Sequence, residues 1–511
     1  MLQTRFTSVS TMNKHTQHHW HLCILGGFIT LVLSGLVSAK EPATSERLAQ
    51  KPNVVFIFAD DLGYGEIEAL DPEYAKIPTP NLNRLAAEGQ IYTDAHTSSS
   101  VCTPSRYGLL TGRYAWRTRL QSSVLGDAEE PMIEEGRMTL GDLFREQGYQ
   151  TAIFGKWHLG FTFEVPEGIQ TPRRRQNPEG FLLAAVPIGS LIPDGPTTRG
   201  FDTWLGFHHA RSMSSVIRDN RIIEEIPTVE MLPKLNREVA DYIDRKAAES
   251  KQGKPFFLYF PQSSPHSPIV PSKEWQGKTG LGDYGDFVAQ TDDSVGVVLE
   301  ALERNGIRDN TIVIFSSDNG SSLHSSVPEI RTSGHRPSGG FRGKKGNLWD
   351  GGHRVPFVLS WPEKVKAGTQ VNQVICLTDM METFADLFSV ELPDSAAEDS
   401  VSFLPTLYGE PVPNPRKTIV HHDIKGYFSI REGYWKLLLK KQAKAKVQLY
   451  DLQQDPGEKK TLARKYPEKV KQMISLLESL VSEGRSTSGD SQKNDAAISL
   501  WKDETAKNSE K

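Results

Sequence analysis

Four short runs of apolar residues recur along this chain, and they constrain its fold more than any other feature. They cover residues 53–59, 150–154, 255–260 and 311–315, and they are rich in β-branched and aromatic residues. Continuous apolar runs of this length are typical of strands buried on both faces of a parallel sheet. Helical patterns lie between them, at 81–89, 139–148 and 291–306. The alternation predicts an α/β fold with a large, mixed but mostly parallel central sheet flanked by helices.

Each apolar run leads into polar residues that can carry chemistry. In chain order these residues are Asp60 and Asp61, Lys156 and His158, His266, and Asp318 and Asn319. In open α/β sheets, ligands bind just beyond the carboxyl ends of the strands. We therefore expect these side chains to lie together at one edge of the sheet.

Length and composition indicate a soluble chain with more than one unit. Its 511 residues exceed a single minimal domain, and its net charge of −4 shows no excess that would favour nucleic-acid binding. We predict a main α/β domain over 50–410 and a smaller C-terminal α+β unit over 411–484, with short strands and one helix. Residues 485–511 are polar, and we expect a disordered tail there.

Residues 1–39 are typical of a signal peptide. A weakly positive start precedes an apolar stretch at 22–37, and small residues up to Ala39 suit a signal peptidase. This predicts a secreted or periplasmic protein without stable membrane insertion after cleavage. An uncleaved membrane anchor is the alternative, because the apolar stretch approaches the ~20 residues that span a bilayer.

Three cysteines occur, and removal of Cys23 with the signal leaves Cys102 and Cys376. Two cysteines are too few for a disulfide-built fold, although a bridge between them stays open. Cys102 begins the sequence Cys-Thr-Pro-Ser-Arg, which ends at Arg106 and is followed by Leu-Thr-Gly-Arg at 110–113. This segment closely resembles the signature of the formylglycine-dependent (type I) sulfatases, which belong to the alkaline phosphatase superfamily.

The resemblance implies that a separate formylglycine-generating enzyme oxidises Cys102 to an aldehyde, 3-oxoalanine. The hydrate of that aldehyde is a geminal diol. One hydroxyl attacks the sulfur of a sulfate ester, and the second then loses its proton and expels sulfate, which makes this covalent catalysis. A buried structural cysteine is the competing interpretation, but it explains neither Arg106 nor the other motifs.

Asp60, Asp61, Asp318 and Asn319 could each belong to a simple turn. Taken together they are hard oxygen ligands, which select calcium, magnesium or manganese and disfavour zinc. The resemblance implies that these four residues, with the modified Cys102, hold one Ca²⁺ ion, and Mg²⁺ is possible.

The segment from Lys156 to Gly160 resembles a second family motif. The resemblance implies that Lys156 stabilises the hydrated aldehyde and the sulfate oxygens, and that His158 accepts the proton when the hemiacetal collapses. His266 resembles the histidine that the family places near the leaving-group oxygen. Each histidine could instead be an ordinary packing or loop residue.

The segment 341–356 resembles a third motif and assigns the family lysine to Lys345 rather than Lys344. Asp350 stands where glutamate is usual, a departure that we expect to affect loop support. Arg106, Lys156, Lys345 and the metal would surround the sulfate with positive charge. Either His266 or Lys345 would protonate the departing alcohol, and Asp318 is a candidate base.

The resemblance extends over about 53–462 and predicts a sulfuric ester hydrolase that cleaves a sulfate monoester of a sulfated small molecule or oligosaccharide. Because secretion is expected, a sulfated carbohydrate is favoured over a simple aryl sulfate. A phosphate or phosphonate ester hydrolase is the nearest alternative, and a catalytically silent carbohydrate-binding relative is another. The segments 173–175 and 208–211 could line a pocket for an anionic or sugar group, or could be a solvated charge run and an ordinary loop.

Overall fold

The computed structural model describes residues 51–126, 129–167, 175–176, 182–183, 186–322, 327–439 and 447–501. The expected signal peptide lies outside these residues, as do Arg173 and Arg174. The chain from residue 51 onward forms one compact unit. None of the helices in the described ranges is long and apolar enough to cross a membrane.

Eighteen strands and eight α-helices are seen in the described residues. The strands are β1 Asn53–Ala59, β2 Gln90–Tyr92, β3 Ala95–His96, β4 Gln150–Lys156, β5 Arg175–Gln176, β6 Leu182–Leu183, β7 Thr203–Phe207, β8 Ser215–Arg218, β9 Arg221–Glu225, β10 Phe256–Pro261, β11 Thr311–Ser317, β12 Phe357–Ser360, β13 Thr369–Val371, β14 Ile375–Cys376, β15 Thr418–His422, β16 Phe428–Glu432, β17 Trp435–Leu438 and β18 Gln448–Asp451. The helices are α1 Pro80–Ala87, α2 Cys102–Thr111, α3 Leu140–Glu146, α4 Met231–Lys251, α5 Gly282–Arg304, α6 Pro328–Ser333, α7 Met380–Phe388 and α8 Pro467–Ser482.

A ten-stranded sheet forms the centre of the molecule, in the order β13-β2-β12-β11-β1-β10-β4-β7-β8-β9. The five central strands, β11-β1-β10-β4-β7, run parallel to one another. Antiparallel strands β12 and β8 flank this group on its two sides. The predicted mixed, mostly parallel α/β sheet is therefore confirmed, and its carboxyl edge carries five neighbouring strand ends.

The central strands are apolar throughout because both of their faces are covered. Along β1, Val54, Phe56 and Phe58 join one hydrophobic cluster, while the alternate residues Val55 and Ile57 join a second on the opposite face. Side chains that alternate between two packed faces leave no position for a polar residue until the strand ends. Polar side chains that can carry chemistry therefore appear only after the strand ends, at Asp60.

A second, antiparallel sheet of four strands, β15-β16-β17-β18, lies in the C-terminal part of the chain. Helix α8 packs against it through Met473, Leu477 and Leu480. The short strands and the helix that the sequence predicts in this part of the chain are confirmed. The single helix predicted over 291–306 is longer than expected, because α5 already begins at Gly282.

The expected disorder of the tail is wrong for residues 485–501. The Arg485 guanidinium pairs with Asp394 at 2.6 Å, and Asp495 pairs with Arg113 at 2.9 Å. Trp501 packs against the hydrophobic cluster of the C-terminal sheet. Polar composition alone did not reveal this order, because much of the segment is held by ion pairs with distant residues. Residues 502–511 lie outside the described ranges.

Replacing Asp495 by alanine should lower the free energy of unfolding by about 1–3 kcal/mol, because Arg113 is fully buried and loses a bidentate partner. The loss is limited, since Arg113 keeps Glu398 at 3.0 Å and the Asp495 side chain is one fifth exposed. Urea unfolding measures the effect. Asp490→Ala is the matched control, because Asp490 is exposed and only its main chain is hydrogen-bonded within the described residues. Equal stability of both variants would contradict the prediction.

Candidate functional site

The residues expected at one sheet edge do come together there. Asp60 and Asp61 follow β1, and Asp318 and Asn319 follow the neighbouring strand β11. Lys156 ends β4, and His266 lies beyond β10. Ligand atoms of Asp60, Asp61, Cys102 and His266 all lie within 4.8 Å of one another. The structure thus places the candidate nucleophile directly beside the candidate metal ligands.

Two oxygen atoms at this edge are available to a cation. The Oδ1 atoms of Asp60 and Asn319 are buried and accept no hydrogen bond from any described residue. The Asn319 amide nitrogen donates to Asp61 Oδ1 at 2.8 Å, which ties this side chain to the carboxylates. Buried oxygen atoms without a partner are costly, and a hard divalent cation is the group that such a donor set fits.

Two lysines complete the polar cluster. Lys156 Nζ lies 2.5 Å from Asp60 Oδ2, and Lys345 Nζ lies 2.6 Å from Asp61 Oδ1. Burial raises the pKa of Asp61, but the Lys345 ammonium and His266 hold it below its ordinary value overall. Burial, followed by the Asp60 carboxylate, raises the pKa of Asp318 to about 6. Lys345, rather than Lys344, is therefore the lysine that the segment brings to the site.

Arg106 contacts the carboxylate that follows β11. Its guanidinium is fully buried and donates from Nε and Nη2 to Asp318 Oδ2, at 3.0 and 2.7 Å. Its far side lies over the Phe58 ring, 5.3 Å from the centroid. Arg106 thus fixes Asp318, a long-range contact that sequence spacing alone could not predict.

Cys102 is the first residue of α2 and is 2% exposed. The residues that precede Cys102 are fixed to the C-terminal sheet, because Ser99 Oγ donates to the carbonyl of His422 at 2.9 Å. Burial raises the pKa of the Cys102 thiol to about 12. Cys102 and Cys376 are both free, so the bridge that the sequence left open does not form.

His158 lies beside Lys156 but outside the group of ligand atoms. It adopts a left-handed backbone conformation with φ of 56°, and its Nε2 donates to the carbonyl of Leu125 at 3.0 Å. Its Nδ1 is buried and has no hydrogen-bond partner among the described residues. Burial and His209 lower the pKa of His158 well below its ordinary value. The neutral ring therefore presents a lone pair at Nδ1.

His266 has its ring orientation set by a neighbouring carbonyl. Its Nδ1 donates to Ser267 O at 2.5 Å, and its Nε2 lies 3.7 Å from Asp61 Oδ2. Burial, followed by the Lys345 charge, lowers the pKa of His266 to about 3. The neutral tautomer with hydrogen on Nδ1 leaves Nε2 without a proton.

His209 belongs to the segment 208–211, for which the sequence left open a pocket lining or an ordinary loop. It follows β7, the fifth parallel strand, and its ring lies 4.4 Å from that of His158 and 6.1 Å from that of His266. A glycine at 206 interrupts the apolar run at 204–207, so the hydrophobic pattern did not predict this strand. Gly206 is required because an added Cβ would lie 1.8 Å from the carbonyl of Gly155.

The segment that carries Lys345 is tied to both sides of the site. Lys345 N donates to Ser321 O at 3.0 Å, and Gly346 N donates to Ser100 O at 2.7 Å. Gly320, next to Asn319, packs against this segment so closely that a Cβ would lie 2.0 Å from Gly351 O. Backbone hydrogen bonds thus join the Lys345 segment to the residues that follow Asn319 and to the residues that precede Cys102.

The chain is similar to known protein families and sequences over most of its length. The family model described as sulfatase matches residues 52–390, and a model described as the C-terminal part of N-sulphoglucosamine sulphohydrolase matches 341–485. An N-acetylgalactosamine-6-O-sulfatase of Bacteroides thetaiotaomicron is 33% identical over 485 residues, covering 84% of this chain and 93% of the relative. Human arylsulfatase A is 30% identical over 449 residues, covering 80% and 83%.

Solved structures agree with this. A sulfatase of Bacteroides thetaiotaomicron, from work on glycosaminoglycan metabolism, superposes with a TM-score of 0.74 at 28% identity, over 85% of this chain and all of that one. A phosphonate monoester hydrolase of Agrobacterium radiobacter shares the fold, with a TM-score of 0.57 at 19% identity and coverage of 85% and 96%. The chain belongs to the sulfatase family and is a sulfuric ester hydrolase.

Proposed function

We propose that this sulfatase removes sulfate from a sulfated amino sugar, with Cys102 acting as nucleophile after conversion to formylglycine. The observation that carries the proposal is the position of the Cys102 side chain, within 4.8 Å of ligand atoms of Asp60, Asp61 and His266. A thiol in this buried position is neutral, whereas the hydrated aldehyde offers two hydroxyl groups at the same point. A formylglycine-generating enzyme is the partner that this conversion requires.

The bound metal that best suits the site is Ca²⁺. Asp60, Asp61, Asp318 and Asn319 supply oxygen ligands, and the orphan oxygen atoms of Asp60 and Asn319 support this assignment. When bound, the ion would polarise the sulfate group and lower the pKa of the attacking hydroxyl. Arg106 would hold the Asp318 carboxylate in its ligating orientation, since both of its contacts converge on Oδ2.

In the first step, one hydroxyl of the hydrate gives up its proton, with Asp318 as the candidate base. Its oxygen forms a bond to sulfur, and the bond from sulfur to the ester oxygen breaks. Lys156, whose ammonium lies at Asp60, would stabilise the hydrate and the sulfate oxygens. The electron pair of the broken bond stays on the departing sugar oxygen. That oxygen then needs a proton.

We assign proton donation to Lys345. Its ammonium lies at the site. Burial lowers the pKa of Lys345, but the Asp61 carboxylate outweighs burial and holds that pKa above its ordinary value. His266 is the less suitable donor, because its Nδ1 hydrogen is directed at Ser267 O. His266 would instead orient the sugar oxygen from Nε2, as an acceptor of a neighbouring hydroxyl.

In the second step, the remaining hydroxyl of the sulfated hydrate loses its proton and the carbonyl bond forms again. The bond between carbon and the sulfate oxygen breaks, and sulfate leaves. His158 Nδ1 is suited to accept this proton, since its lone pair is fixed by the hydrogen bond from Nε2 to Leu125 O. Addition of water to the aldehyde then restores the hydrate.

The substrate class follows from relatives and from the surroundings of the site. Relatives named as N-acetylgalactosamine-6-sulfatases occur in Bacteroides thetaiotaomicron, at 33% identity, and in human, at 31%. We therefore propose a 6-sulfated N-acetylgalactosamine or an oligosaccharide that contains it. His209, next to His158 and His266, is placed to contact the sugar. Secretion or periplasmic localisation, inferred from residues 1–39, suits such a substrate.

Purified enzyme should hydrolyse N-acetylgalactosamine 6-sulfate and 4-nitrophenyl sulfate, and should prefer the aryl sulfate over 4-nitrophenyl phosphate by about 100-fold, or about 2.7 kcal/mol. Three carboxylates at the site balance three cations, so the two charges of Ca²⁺ match one attacking oxyanion and one monoanionic sulfate ester. A phosphate dianion would add an uncompensated buried charge.

The measurement is kcat/KM for each ester at one pH. Faster hydrolysis of the phosphate, or of an aryl phosphonate, would favour the phosphohydrolase alternative. Absence of all turnover in protein whose Cys102 is confirmed as the aldehyde would favour the silent carbohydrate-binding relative.

A further inference from the structure

Lys436 lies on β17 of the C-terminal sheet, yet its ammonium is buried beneath two segments that form the site. We propose that Lys436 is a positioning residue for the sulfatase reaction, which fixes Lys345 through Asp350 and fixes the approach to Cys102 through His353 and His96. The inference rests on the proposed roles of Lys345 and Cys102.

The ammonium of Lys436 is surrounded by acceptors. It donates to Asp350 Oδ1 at 2.6 Å, lies 3.1 Å from His353 Nε2, and forms an ion pair with Glu458 Oε1 at 3.0 Å. None of these side chains is more than 1% exposed. A cation in such a place is strongly held, because removal of one partner leaves buried charge uncompensated.

Asp350 connects Lys436 to Lys345. Its amide donates to Glu458 Oε2 at 2.7 Å, so both its main chain and its carboxylate are fixed by the C-terminal part of the chain. Asp350 lies five residues after Lys345, whose own amide is bound to Ser321 O. With both ends of this short segment anchored, the direction of the Lys345 side chain toward Asp61 is restricted.

Two histidines connect Lys436 to the approach of Cys102. His353 Nε2 lies 3.1 Å from both the Lys436 ammonium and the carbonyl oxygen of Leu348. On the other side of the ring, His353 Nδ1 lies 3.0 Å from His96 Nδ1, and His96 Nε2 lies 2.7 Å from Asp94 Oδ1. Burial lowers the pKa of both rings, in agreement with neutral tautomers. His96 is six residues before Cys102, and Thr97 N donates to His353 O at 2.8 Å.

A transition metal held by three histidines is the competing interpretation of this region. Ring nitrogens of His96, His353 and His421 lie within 4.8 Å of one another. However, the His353 and His421 rings are stacked, with centroids 3.6 Å apart and planes at 17°. Stacked rings direct their lone pairs alongside one another rather than at a common ion. The Lys436 ammonium, 3.1 Å from His353 Nε2, would also repel a metal cation bound at that nitrogen.

The test uses two substrates that differ in their need for a proton donor. A sugar sulfate releases a strongly basic alkoxide, whereas 4-nitrophenyl sulfate releases a weakly basic phenolate that needs little protonation. If Lys436→Met displaces Lys345, kcat/KM should fall at least about tenfold more for N-acetylgalactosamine 6-sulfate than for the aryl sulfate. A loss of folded or modified enzyme would lower both activities by the same factor.

The double variant Lys436→Met, Glu458→Gln keeps the test valid if the single variant folds poorly, because it removes one buried acid together with the buried cation. We expect its thermal stability to recover relative to the single variant while the difference between substrates persists. Lys471→Met is the matched control, since Lys471 is 72% exposed, and it should behave as wild type.

Equal losses for both substrates in the folded double variant would overturn the proposal, as would stoichiometric zinc or copper that disappears in His421→Ala. Mass spectrometry of the peptide with residue 102 checks that the variants carry equal aldehyde. Failure of the proposed function would be seen separately, as wild-type activity that survives Cys102→Ala.

Discussion

Replacing Cys102 by alanine should lower kcat/KM for a sulfate ester by about 10⁴-fold or more, because the variant has no hydroxyl that can attack sulfur. Alanine fits the same helical position, so the fold should persist. Cys376→Ala is the matched control, since Cys376 is equally buried but lies in β14, outside the site. It should lose some stability and keep its activity.

Mass spectrometry of the peptide that contains residue 102 accompanies this measurement. The wild-type enzyme should carry the aldehyde, and the specific activity of different preparations should rise in proportion to the aldehyde fraction. Full activity in a preparation whose Cys102 is entirely unmodified would refute the formylglycine mechanism, even if Cys102→Ala were inactive.

Removing the metal should have the second largest effect. Dialysis against a chelator should reduce turnover by about 100- to 1000-fold, since the charge that builds on the sulfate loses its strongest stabilising group. Ca²⁺ should restore activity. It should also raise the midpoint of thermal unfolding as its concentration increases, because an ion that binds only the folded state stabilises it by mass action.

Asn319→Ala tests the ligand set with a readout that does not depend on turnover. This variant loses a buried oxygen that has no other partner in the described chain, and its thermal midpoint should respond much more weakly to Ca²⁺. Asn414→Ala, at an exposed position, should respond as the wild type does. An unchanged calcium response in Asn319→Ala would remove Asn319 from the metal site.

Hydrophobic pattern predicted the parallel core of this fold well because strands covered on both faces have to be apolar from end to end. The polar residues that follow β1 and β11 were therefore visible at once, and their convergence followed from the parallel arrangement alone. The chemical assignment of Cys102 depended on the family resemblance, since a lone buried cysteine has no chemical meaning by itself.

Residues whose importance lies in a distant partner could not be predicted in the same way. Arg106 fixes Asp318, 212 residues away, and Arg113 is held by Asp495 from a segment that looked disordered. Lys436 falls in an ordinary strand pattern, and its role depends on Asp350 and His353 on another part of the chain. Local spacing contains no information about such pairs.

Because β1 lies at the centre of the sheet, it can pair with its neighbouring strands only after much more of the chain has been synthesised. Its neighbours are β10 and β11, and Val54 pairs with Phe257, so the ribosome must add 257 − 102 = 155 residues after Cys102 before that pairing can begin. At ~5–20 residues per second, this takes roughly 8–30 s. For that interval the segment around Cys102 has no sheet edge to be buried against. A maturation enzyme in the same compartment could reach it during this interval, before the completed fold closes over it.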